Sequence, residues 1–149
     1  MLPHFQIDGN LAPGIHPMEW QEFAQSFGSN PHRCRLLNGL HQVLLVLAAA
    51  GCETAYIDGS FVTLKQVPAD FDGAWELRNV DVQRLSLIEP LLFEFSKQRA
   101  AQKRKYLGEM FPADSMEGGS GRTFLEFFQQ DKQTGARKGV VAIDLRTLK

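Results

Sequence analysis

The chain has 149 residues with 16 basic and 17 acidic side chains, a balance that excludes a global electrostatic case for nucleic-acid or membrane binding and leaves only local patches. Hydrophobic residues make up 44% and eleven residues are Phe, enough apolar surface for one packed domain over residues 1–149. Cys34 and Cys52 lack C-x-x-C spacing or a matched His pair and read as reduced thiols of a cytoplasmic protein; no leader pattern and no apolar run near about eighteen residues occurs, so neither signal peptide nor membrane span is expected.

Residues 1–16 are rich in Pro, Gly and Asn and read as an extended arm without regular structure. Pro17 fits the first turn of a helix whose Trp20, Phe23 and Phe27 share one face at spacings of three and four, an aromatic stripe that belongs in a core. Gly28 ends it. Asn30-Pro31 is a cap followed by a proline at the first helical position, and the helix runs through Leu36, Leu37, Leu40, Val43, Leu44 and Leu47 to Ala50, with Gly51 as the stop. His32 and His41 decorate its rim. A strand over 52–58, a Gly59-Ser60 turn, a short helix over 60–66 closed by Pro68, and a strand over 70–75 follow.

Residues 80–88 read as a helix or a loop with a helical turn. The apolar run Leu91 to Phe95 is expected to be a strand, which sets Glu94 among apolar neighbours, where a carboxylate needs a partner or a metal. Ser96 to Tyr106 is a basic helix with Ser96 at its start; Lys97, Arg99, Lys103, Arg104 and Lys105 crowd it, and spacing puts Arg99 and Lys103 on one face. They read either as a solvated helix face or as a patch for triphosphate or an RNA backbone. Residues 107–121 read as a long loop, and its Gly118-Gly119-Ser120-Gly121 lacks the following helix that a phosphate loop needs. A hairpin closes the chain: strand 123–128, a turn around Gln133-Thr134-Gly135, and strand 139–145.

The chemistry-bearing residues sit in one stretch, Tyr56 to Gly73. With Asp70 to Asp72 extended, both carboxylates point to one side and Phe71 to the core. Two carboxylates on one face repel unless a cation lies between them, and oxygen ligands suit a hard ion such as Mg²⁺, which takes substrate phosphates as further ligands. A glycine after a strand lets the backbone approach a ligand, and a helix starting at Ser60 aims free N–H groups at phosphate. Lys65 is within range of a phosphate or is a solvated charge. The turn reading of Asp58-Gly59-Ser60 and of 69–73 is the plain alternative.

Gly59-Ser60, a spacer of nine residues and Asp70-x-Asp72 resemble the signature of the nucleotidyltransferase superfamily with the polymerase-beta type of fold. Its small bacterial members, the minimal nucleotidyltransferases, include toxin and antitoxin components. One position departs: Asp58 stands where that family usually has an apolar residue. The resemblance implies an α/β or α+β fold, a mixed sheet of four or five strands with helices packed on it. It implies Gly59, Ser60 and Lys65 on the nucleotide, and Asp70, Asp72 and a third carboxylate from a neighbouring strand on Mg²⁺ or Mn²⁺. Glu94 is the first candidate for that third acid, Asp144 the second and Glu126 the third. The implied activity is transfer of NMP from a nucleoside triphosphate to a protein or RNA hydroxyl, with a cognate toxin or antitoxin protein as partner. A non-catalytic module that keeps the fold and pairs with a partner protein is the alternative.

Overall fold

Capping and leucine content place the longest helix at the centre of the molecule. In a computed structural model, which describes residues 4–94 and 96–148, Asn30 accepts the Arg33 N–H at 2.8 Å and Pro31 opens α2 (Pro31–Ala49). Leu40, Val43, Leu44 and Leu47 of α2 are fully buried. They pack in one cluster with Trp20, Phe23 and Phe27 of α1 (Trp20–Phe27) and with Ile57, Phe71, Trp75, Met110, Val141 and Ile143 from the sheet.

The sheet has five strands: β1 (Gly14–Glu19), β2 (Thr54–Asp58), β3 (Phe71–Trp75), β4 (Gly108–Pro112) and β5 (Gly139–Asp144), in the order β1-β5-β2-β3-β4. β1 runs parallel to β5 and β3 parallel to β4, while β2 is antiparallel to both β3 and β5. The molecule is therefore α+β with a mixed sheet and helices packed on it, as the sequence implied. Because side chains alternate along a strand, the other face carries Ala74, Phe111 and Val140. These join Phe128 and, partly buried, Phe124 and Phe127 of α5 (Phe124–Phe128) in a second, smaller cluster. α3 (Val82–Ile88) and α4 (Ser96–Tyr106) complete the molecule. Among the described residues no helix is long and apolar enough to cross a membrane.

Several stretches depart from expectation, each for a physical reason. Pro17 lies inside β1 instead of opening α1, and Gly14 to His16 of the expected arm are strand. An edge strand tolerates a residue without an N–H, and β1 is an edge. After Gly59-Ser60 the helix is a single 3-10 turn, Ser60–Val62. The run from Leu91 is also 3-10, Pro90–Phe93, with Glu94 extended after it, because Pro90 opens a turn that the Glu89 side chain caps through the Leu91 N–H; Phe95 and the first three residues of the arm lie outside the described residues. Within the expected long loop stands β4, and the expected strand over 123–128 is α5. There Thr123 and Glu126 form a reciprocal capping box, with Thr123 N–H donating to Glu126 at 2.9 Å and Glu126 N–H to Thr123 Oγ1 at 3.2 Å.

Candidate functional site

Register brings the acids together. Asp58 ends β2 opposite Asp72 of β3, and Asp72 lies opposite Glu109 of β4. Paired residues on adjacent strands share a face, so three carboxylates stand in a row across three strands. Asp70, just before β3, turns to the same side, and Asp70, Asp72 and Glu109 each offer an oxygen within 4.8 Å of the others'. Between the two aspartates Phe71 points the other way and is 1% exposed. β4 is held at this register by α4, whose Gln102 side chain accepts the Met110 N–H at 3.0 Å.

Like charges in a row are costly, and cations attend both ends of it. Lys138 places its ammonium 3.1 Å from Asp58 Oδ1. Arg99 and Lys103 hold the two oxygens of Glu109 at 2.9 and 2.7 Å. Arg99 reaches Glu109 from a left-handed turn at Lys97, Gln98 and Arg99, at φ of 51°, 54° and 60°, and also covers the Phe111 ring at 4.5 Å. Three successive non-glycine residues in that region cost energy that only a fixed tertiary contact offsets.

Asp72, in the middle, is different. Among the described residues no ion pair reaches it. Burial, then Asp70, Glu109 and Asp58, push its carboxyl up to about 7 against a weaker pull from Lys132. Burial and Glu109 raise Asp70 as well, and burial raises Asp58 in spite of Lys138. A buried carboxylate that its neighbours repel takes up a proton more readily, and an added cation would favour its charged form.

Gly59 sits at φ 78°, and a Cβ there would stand 2.9 Å from Asp72 Oδ2. Glycine thus serves both the backbone conformation and the close approach of turn to acid. Gly59, Ser60, Lys65, Asp58 and Asp72 line a cleft of about 610 Å³ with Lys132 and Lys138. A smaller pocket of about 350 Å³ shares Asp58, Asp72 and Lys132 with it and is walled by Arg99, Glu109, Phe111, Phe124 and Phe127.

The structure thus gathers Gly59, Ser60, Lys65, Asp70 and Asp72 and leaves the three candidate third acids elsewhere. Glu94 is exposed and accepts the Ser96 N–H and hydroxyl at 3.2 and 2.5 Å, capping the entry to α4, and that bonding holds its carboxyl below the usual range. Asp144 pairs in register with Thr54, at the end of β2 away from Asp58, and binds Arg146 at 2.9 Å. Glu126 is spent on the α5 capping box. The acid beside the aspartates is Glu109, which the sequence reading missed along with Lys132 and Lys138. Its signal was an apolar run, Tyr106 to Phe111, broken by a single Glu, which Gly108 and Pro112 disguised as loop.

Fold and site together define an α+β protein whose mixed sheet carries a carboxylate cluster beside a glycine turn. Over residues 3–144 the chain matches the Family of unknown function (DUF6932) and belongs to it. No curated protein and no solved structure matches it.

Proposed function

We propose that the protein is a metal-dependent nucleotidyltransferase of the cytoplasm that moves NMP from a nucleoside triphosphate to a hydroxyl of a protein or an RNA. The observation that carries this reading is the grouping of Asp70, Asp72 and Glu109 with oxygens in mutual reach, Asp72 also lining the cleft that holds Gly59 and Ser60. The donor set fits a hard divalent ion: three carboxylates with oxygens in mutual reach, of which Asp72 is pushed up to about 7 by burial and then by its acidic neighbours. Asp70, Asp72 and Glu109 would hold Mg²⁺ or Mn²⁺, which when bound polarises the phosphoryl oxygens and offsets charge on the departing pyrophosphate.

The chain's own residues supply the rest. Gly59 and Ser60 line the cleft wall, and Lys65 and Lys132 would bring positive charge to a polyphosphate there, with Lys138 beside Asp58 at the same cleft. The acceptor oxygen forms its bond to the alpha phosphorus as the alpha–beta P–O bond breaks, and its proton passes to a carboxylate of the cluster. Cys34 and Cys52 are free thiols, which is compatible with a reducing compartment. Incubation with labelled ATP, CTP, GTP and UTP, Mg²⁺ and a total protein and RNA extract tests the proposal. Label transfer that Asp72→Asn abolishes without unfolding supports it, and full Mg²⁺-dependent transfer by Asp72→Asn contradicts it.

One observation favours a second reading, a non-catalytic module that pairs with a partner protein, such as one half of a toxin–antitoxin pair. Both oxygens of Glu109 are engaged by cations of the chain itself, so the cluster stands partly neutralised without a metal. Calorimetry with each triphosphate and Mg²⁺ separates the two readings, since the module binds none of them.

A further inference from the structure

Arg33 is a costly side chain to place where it stands. It is 3% exposed, and among the described residues no carboxylate pairs with it. It also lies in the first turn of α2, where a cation meets the positive end of the helix dipole. A leucine or methionine would avoid all of this. What the guanidinium does instead is donate to four carbonyls. Nη1 reaches Phe27 and Phe61 at 3.2 and 2.6 Å, and Nη2 reaches Thr63 and Lys65 at 2.9 and 2.5 Å. The group also lies 5.1 Å from the centre of the Phe61 ring.

Three of those carbonyls belong to alternate residues of one segment, the chain that leaves Gly59-Ser60. Beyond the single 3-10 turn that segment has no regular structure, so its carbonyls have no ladder to join, and buried carbonyls left without donors are costly. The same segment lines the cleft: Thr63, Leu64 and Lys65 stand there beside Gly59 and Ser60. The segment is also tied forward, with the Leu64 N–H donating to Gly9 O at 3.2 Å and the Thr63 hydroxyl to Ser60 O at 2.7 Å. Arg33 therefore braces from behind the wall that faces the acids.

We propose that Arg33 is a positioning residue: by gripping the Phe61, Thr63 and Lys65 carbonyls, it holds the wall from Gly59 to Lys65 in the shape that receives a triphosphate. The role in binding rests on the nucleotidyl-transfer reading, whereas the grip on the segment does not. Lysine keeps the charge but carries one nitrogen with three donors, too few to span four carbonyls, and methionine carries none.

Arg33→Lys and Arg33→Met are compared with wild type in three measurements: amide exchange, binding of Mn²⁺ alone, and binding of ATP, CTP, GTP and UTP with Mg²⁺. Exchange over residues 61–66 is expected to speed up about tenfold or more in both variants while β2 and β3 amides keep their rates. Affinity for the tightest-binding triphosphate is expected to fall about tenfold, with Mn²⁺ affinity within about twofold of wild type. Wild-type exchange over 61–66 in both variants overturns the proposal. So does equal acceleration of segment and sheet, or loss of the fold in both, either of which marks Arg33 as an ordinary core residue. A wild type that binds triphosphate alongside variants that bind it as tightly overturns the binding role alone. A wild type that binds none of the four contradicts the nucleotidyl-transfer reading, and the exchange contrast still decides whether Arg33 grips the segment.

Discussion

Asp72 carries a stability cost that the proposed metal site would offset. Its carboxyl shifts from 3.8 in the free residue to about 7 in the fold, so the folded state holds a proton that the unfolded chain releases. Stability from this group is full below about pH 4 and is lost as pH rises toward 7, with an upper bound of roughly 4 kcal/mol before coupling and solvent relaxation reduce it. Thermal melts of the metal-free protein should therefore show stability declining between about pH 4 and pH 7, and Asp72→Asn, which keeps the shape without the charge, should flatten that decline and raise the melting temperature at pH 8. A variant less stable than wild type at pH 8 would mean that the carboxylate is held by contacts other than those described. Asp70 and Asp72 were legible in the sequence because alternation alone puts them on one side. Asp58 was legible only as a departure from the family pattern, since its pairing with Lys138 depends on a strand about eighty residues away that only the folded sheet brings near.

At the scale of elements, the long leucine-rich helix and the two strands flanking the glycine turn were readable from caps and periodicity. β4 and α5 were not. Gly108 and Pro112 gave β4 the composition of a loop, and the short run Phe124-Leu125-Glu126-Phe127-Phe128 fits a strand as well as a helix turn until the Thr123–Glu126 capping box decides it. Glu94 failed as third acid for the same cause: a short apolar run after Pro90 became a turn, and the neighbouring strand was supplied later in the chain. α2 and α4 meet at Gly39, where a Cβ would fall 1.8 Å from the Tyr106 carbonyl oxygen. Tyr106 leads into β4, so this close approach sets the position of Glu109. Gly39→Ala should lower the denaturant midpoint by an amount worth about 1–3 kcal/mol or more, although alanine alone favours a helix by about 1 kcal/mol. An unchanged midpoint would show that the two helices have room to separate.

Over the whole molecule, the sheet serves as a ruler that spaces three acids at strand intervals, with helices on one face and a small aromatic cluster under α5 on the other. Cations of the chain attend the two ends of that row, while burial and the neighbouring acids raise the carboxyl at its centre. The direct test is a titration of the metal-free protein with Mn²⁺ at pH 8, followed by the paramagnetic signal of the free ion, on wild type and Asp72→Asn with folding checked by circular dichroism. Saturable binding by wild type that is lost in the folded variant is the predicted result; equal binding by both, or none by either, contradicts a metal centre built on Asp72.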